Sequence, residues 1–87
     1  MSTAITVTVR YFASIREALG TGSESCSTTA PTLGALRDEL IARGGAHAAA
    51  LARGKAVRLA HNQLLSDENA PLAAGDEVAF FPPVTGG

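Results

Sequence analysis

Apolar and polar residues alternate along the first strand-like stretch. Ile5, Val7, Val9 and Tyr11 fall on one side, and Thr6, Thr8, Arg10 and Phe12 on the other. Period two with β-branched residues predicts a half-buried strand. Phe12 breaks the pattern, being large and apolar on the polar side. Residues Ala13 to Leu19 predict a short helix or turn closed by Gly20 and Gly22. Glu24 to Thr29 is mostly polar and predicts a weak edge strand in a hairpin with the first. The period then changes. Leu33, Leu36, Leu40 and Ile41 recur at helical spacing behind Thr32, an N-cap residue type, and Gly44 and Gly45 mark the stop. Such a leucine stripe suits a helix lying on a sheet. The Ala-rich run from His47 to Arg53 predicts a further short helix ended by Gly54. Val57 to Ala60 reads as a strand, His61-Asn62-Gln63 as a turn, Asp67 to Pro71 as loop and Gly75-Asp76 as a turn. Glu77 to Phe81 is the last strand, with Val78 and Phe80 facing one way and Glu77, Ala79 and Phe81 the other. Pro82 has no N–H to give a ladder, so pairing stops there.

The order is strand, strand, helix, strand, an optional short strand, strand. A hairpin, one main crossing helix and a return to the sheet make an α+β roll with a mixed sheet, the β-grasp arrangement that ubiquitin has. Residues 1–81 form this domain, and residues 82–87 form a flexible Gly-Gly tail. In such a roll the first and last strands are neighbours. Phe12 and Phe81, each apolar on an outward position, then share the outer face of the sheet and mark a partner surface. The alternative is that a loop or short helix covers them.

Composition narrows the function classes. A chain of 87 residues fits one small domain. Cys26 is its one cysteine, so no internal disulfide forms and a reducing compartment is expected. Seven basic and eight acidic residues give a formal net charge of -1 with no basic block, which argues against nucleic acid or an anionic membrane as partner. No apolar run approaches the ~18 residues of a membrane helix. The start Met1-Ser2-Thr3-Ala4 lacks the basic region of a signal peptide. A cytoplasmic location is the expectation.

The last residues carry the chemistry. Phe80-Phe81-Pro82-Pro83-Val84-Thr85-Gly86-Gly87 joins a strand end to a stiff Pro-Pro spacer and two glycines. Gly packs poorly and serves no structural need at a terminus. A tail without side chains can thread a narrow channel and present its carboxylate. Six residues beyond Phe81 span roughly 20 Å at full extension.

Tyr11-Phe12-Ala13 followed by Arg16-Glu17, Thr32-Leu33 through Leu40, His61-Asn62-Gln63 and above all Gly75 to Gly87 resemble the small subunit of molybdopterin synthase, a family of ubiquitin-like sulfur carriers. The resemblance covers nearly the whole chain and is least specific over Ala46 to Ala52. It implies a non-catalytic chain that acts as half of a sulfurtransferase, in a heterotetramer of two small and two large subunits. An E1-like adenylating enzyme would use ATP to form an acyl-adenylate at Gly87, and a sulfur donor would displace AMP to leave a thiocarboxylate. That sulfur would attack cyclic pyranopterin monophosphate in the large subunit and build the dithiolene. Gly86 would keep the approach clear. Val84 and Thr85 would line the tunnel entrance behind Pro82 and Pro83. Phe12 and Phe81 would dock on the large subunit and the adenylating enzyme, with Arg16 either a rim contact or a solvated helix charge. No cofactor is expected on the chain itself.

Other residues invite roles that their surroundings do not support. Cys26 has no His or Lys close in sequence to activate it and suits a small buried hydrophobe. His47 and His61 lack a ligand set with metal spacing. Asp76 and Glu77 are adjacent in a strand and point apart, so Asp76 is a turn former. Gly20-Thr21-Gly22 lacks the further glycines and Lys of a phosphate loop. Three alternatives stay open: a sulfur carrier for thiamine, cysteine or tRNA thiolation, a ubiquitin-like modifier joined through Gly87 to lysines, and a plain binding module with a dispensable tail.

Overall fold

A computed structural model describes residues 3–83. The chain runs β1 (Ile5–Tyr11), α1 (Ala13–Leu19), β2 (Ser23–Thr28), α2 (Leu33–Ala42), α3 (Gly45–Leu51), β3 (Arg58–His61), β4 (Leu64–Ser66) and β5 (Glu77–Phe81). The five strands form one mixed sheet in the order β2-β1-β5-β3-β4. β1 pairs antiparallel with β2 and parallel with β5, and β5 pairs antiparallel with β3. The β-grasp expectation holds, including the adjacency of the first and last strands. β5, last in sequence, is central in space, and pairing stops before Pro82 as its missing N–H requires. Val84, Thr85, Gly86 and Gly87 lie outside the described residues, so most of the 82–87 tail does too.

The core explains which face of each element is apolar. Val7, Val9 and Tyr11 of β1, Leu59 of β3 and Val78 and Phe80 of β5 pack with Ile15, Leu33, Leu36, Leu40, Ala50 and Leu51 from the helices. All three helices therefore cover the same side of the sheet. Thr32 caps α2 as expected, its Oγ1 accepting from the Ala35 amide at 3.2 Å. Gly34 is buried in the first turn of α2, where a Cβ would lie 2.9 Å from Glu68, so only Gly lets the 67–71 loop approach.

Several boundaries shift for local reasons. β1 ends at Tyr11, because Phe12 stays extended but caps α1. β2 starts at Ser23, one residue before the expected start. α3 begins at Gly45 rather than His47 and ends at Leu51, where Ala52 turns extended at ψ 143°. β3 runs through His61, so the turn is Asn62-Gln63 alone.

Two charged networks lock the helices down, and neither was foreseen. Arg37, buried on α2, donates from Nε to the Leu51 carbonyl at 2.9 Å and from Nη2 to the Ala52 carbonyl at 2.8 Å. Its Nη1 meets Glu68 Oε2 at 2.9 Å, and Arg53 grips the same carboxylate and Asp38. One guanidinium thus satisfies the open carbonyls at the end of α3 and ties α2 to the loop before β5. At the other edge, Glu24 accepts from Tyr11 Oη at 2.7 Å and Arg43 Nη1 at 2.7 Å and bonds His47 Nε2 at 3.0 Å. Burial alone would raise the Glu24 carboxyl, but the hydrogen bonds from His47, Arg43 and Tyr11 win and bring it from 4.5 to about 2. Tyr11 is pushed well up, first by burial and then by its bond to Glu24. Its ring stacks on Phe80 with centroids 6.3 Å apart, so this network buttresses the base of β5.

Truncating Arg37→Ala should cost about 3 kcal/mol, because it strands two carbonyls and takes from Glu68 one of its two arginine partners. Urea unfolding checks this, and a loss below about 1 kcal/mol would mean water replaces the clamp. Because Glu24 has a depressed carboxyl in the folded state, its stabilisation is present above its unfolded value near 4.5 and is lost as pH falls toward 2. Glu24→Gln should lower the melting temperature at pH 7 and flatten its decline between about pH 5 and 2. An unchanged acid slope in melting experiments would count against the network.

Candidate docking face and tail root

The helices cover one side of the sheet, and cross-strand register defines the other. Cross-strand partners share a face. Arg10 partners Ala79, Ala79 partners Ala60, and Ala60 partners Leu65, while Phe81 partners Arg58. The outer face therefore carries Ser23, Ser25 and Ser27 on β2, Thr6, Thr8 and Arg10 on β1, Glu77, Ala79 and Phe81 on β5, Arg58 and Ala60 on β3, and Leu65 on β4. Hydroxyls dominate the β2 side. Toward the end of β5 the face turns apolar.

Phe12 closes that apolar end. Its backbone is extended at φ -130° and ψ 155°, which preserves the outward direction it would have had inside β1. Its amide donates to the Phe80 carbonyl at 3.2 Å, the bond that secures β5 just before the tail. The Arg10 guanidinium lies 5.4 Å from the centre of its ring, and Arg10 also faces Glu77 at 3.9 Å. Phe12 is 40% exposed, and Phe81 is half-buried on the same face. The chain then leaves positive-φ Ala13, at 52°, into α1. Arg16 sits one turn on, exposed, its side chain folded toward Gly22, where a Cβ would meet Nε at 3.2 Å. Among the described residues it makes no ion pair. Pro82 and Pro83 are half-buried and follow β5 directly. Gly86, Gly87, Val84 and Thr85 fall outside the described residues, so the structure brings Phe12, Phe81, Pro82, Pro83 and Arg16 to one end of the sheet and says nothing of the other four.

Leu64 and Leu65 escaped the sequence reading. They are 73% and 68% exposed, on a three-residue edge strand. Leu65 extends the apolar strip of Ala79 and Ala60, whereas Leu64 pairs with His61 on the opposite face. Their presentation is rigid. Asn62 and Gln63 form a two-residue turn with φ of 51° and 71°, the positive-φ pair that suits a tight hairpin. Asp76 holds that turn, bonding His61 Nε2 at 2.6 Å and accepting from Asn62 Nδ2 at 3.2 Å and the Ala73 amide at 2.8 Å. The His61 bond leads in keeping the Asp76 carboxyl below its usual range. Asp76 is thus a turn former, and it reaches a second turn that sequence spacing did not reveal. The available signal was the pair of leucines straight after a turn motif, with no helical or alternating pattern to bury both.

The described residues offer a surface rather than reactive chemistry. Cys26 is buried, and burial raises its thiol first, with the Glu24 charge adding to it and Arg43 at 3.4 Å opposing. Both histidines are engaged by carboxylates. Among the described residues no cluster of His, Cys, Asp or Glu could hold a metal ion, and no helix is long and apolar enough to cross a membrane.

Comparison with known proteins agrees with this layout. A family model described as the ThiS family matches residues 9–87. The molybdopterin synthase sulfur carrier subunit of Escherichia coli (strain K12) is 46% identical over 81 residues, covering 93% of this chain and 99% of the relative. Among solved structures, the complex of subunits 1 and 2 of the molybdopterin-converting factor from Helicobacter pylori 26695 contains a similar chain. It matches with TM-score 0.63 and 33% identity, covering 95% of this chain and 100% of that one. The H. volcanii small archaeal modifier protein 1 matches with TM-score 0.74 and 26% identity, over 92% and 99% of the two chains. The family model runs from the second half of β1 through the rest of the chain, and the E. coli relative is matched almost end to end: the chain belongs to the ThiS family.

Proposed function

We propose that this chain is the sulfur carrier subunit of molybdopterin synthase, working with a large subunit and inert as a catalyst alone. The observation that carries this is the central, final strand. β5 is held on both sides, ends at Phe81, and brings Pro82 and Pro83, the root of the tail, to the apolar end of the outer face. The E. coli relative bears the carrier's name, and the H. pylori relative is seen in complex with its second subunit.

The chemistry follows from the poor reactivity of a carboxylate. An E1-like enzyme joins the Gly87 carboxylate to AMP from ATP, releasing pyrophosphate. A sulfur donor displaces AMP and leaves a thiocarboxylate, a soft nucleophile. The sulfur of each carrier then bonds to a carbon of cyclic pyranopterin monophosphate in the large subunit, water cleaves the resulting acyl–sulfur bond and returns the Gly87 carboxylate, and two transfers complete the dithiolene. Gly86 leaves the approach unobstructed. Pro82 and Pro83 restrict the base of the tail and lower the ordering cost when Val84 and Thr85 enter the large subunit. Phe12, Phe81 and Leu65 supply the buried contacts, and Arg16 the rim. All steps are cytoplasmic, and the chain itself holds no cofactor.

The likeness to an archaeal modifier favours one other reading, attachment of Gly87 to lysines. One reconstitution separates them. The Gly87 thiocarboxylate, verified by intact mass, is mixed with a molybdopterin synthase large subunit and cyclic pyranopterin monophosphate. Dithiolene should form, and a chain lacking Gly87 should neither acquire sulfur nor support product while melting at the same temperature. Absence of product beside an active control carrier, or higher-mass protein adducts in its place, would overturn the assignment.

A further inference from the structure

A formal net charge of -1 conceals a segregation of charge. Most carboxylates lie behind or beside the sheet and are engaged there. Glu24 holds Arg43 and His47, Asp38 and Glu68 hold Arg53, Glu68 also holds Arg37, Asp76 holds His61, and Glu39 accepts from Thr28 Oγ1. The outer face has one carboxylate, Glu77, placed against Arg10 at 3.9 Å. It has two guanidinium groups, those of Arg10 and Arg58, on the strands that flank β5. Arg58 is exposed, stands directly opposite Phe81 and makes no ion pair among the described residues.

A protein that covers Phe81 must also cover the stem of Arg58. A guanidinium that loses water without gaining an anion opposes docking strongly. Strand spacing and rise put the Arg10 and Arg58 backbones about 12 Å apart, diagonally across β5. We propose that the large subunit presents two carboxylate side chains at about that spacing, one to Arg58 and one to the Arg10–Glu77 pair, on either side of an apolar socket for Phe81. The attraction sets the register of docking and speeds encounter, while the apolar strip sets how long the complex lasts. This inference rests on the docking-face reading above and adds the chemistry of the partner's rim.

Stopped-flow association with the large subunit of the same organism tests it, using the full chain. The wild-type association rate constant should fall about tenfold between roughly 0.03 and 0.5 M NaCl. At low salt, Arg58→Ala should associate about three- to fivefold more slowly and Arg58→Glu more slowly still, with dissociation changed less. Ala46→Glu, which lowers the net charge by the same one unit but on the helix side, should associate at the wild-type rate. A flat salt response with wild-type rates for both Arg58 variants, while Leu65→Asp and Phe81→Ala still weaken docking, would overturn the acidic rim and leave the docking face standing. Unchanged docking in Leu65→Asp and Phe81→Ala would overturn both.

Discussion

The parallel pairing of β1 with β5 is the constraint on which the rest of the structure depends. It places the last strand at the centre of the sheet, with ladders on both sides. A central strand is the hardest part of a sheet to fray, so the tail is rooted in a firmly held element. The same pairing sets Phe12 beside the end of β5 through the bond from its amide to the Phe80 carbonyl. The root of the tail and the docking surface are therefore fixed by one register. A slip of one residue would send Phe81 into the core and Phe80 out of it.

That register is reinforced from the covered side. Tyr11 stacks on Phe80, and Glu24 holds the Tyr11 hydroxyl together with Arg43 from the end of α2 and His47 from α3. Arg37 does the same work at the other end, closing α3 and fastening the loop that precedes β5. In a domain this small the apolar core is limited, and buttresses of this kind leave the outer face free to stay apolar and uncovered. A stable scaffold with an open face suits a sulfur carrier subunit that works with a large subunit.

What the sequence revealed depended on how local the signal was. The β5 alternation, the Pro82 stop and the Leu33-Leu36-Leu40 stripe are written in consecutive residues, and the structure reproduces them. The outward placement of Phe12 was also legible, because a large apolar residue in a polar phase is informative wherever the strand ends. Leu65 was not, since a single exposed leucine is ordinary and only its pairing with Ala60 joins it to the strip. Arg37 looked like any helix cation, because the carbonyls it binds are 14 and 15 residues away. Arg58 gained meaning only once register set it opposite Phe81.

Hydrogen–deuterium exchange of the chain with and without the large subunit tests the central claim most directly. The account predicts new protection at β3, β4, the end of β5 and the Phe12 segment, with the exposed side of α2 unaltered. Protection concentrated on α2 and α3, with the open face of the sheet exchanging as in the free chain, would contradict it.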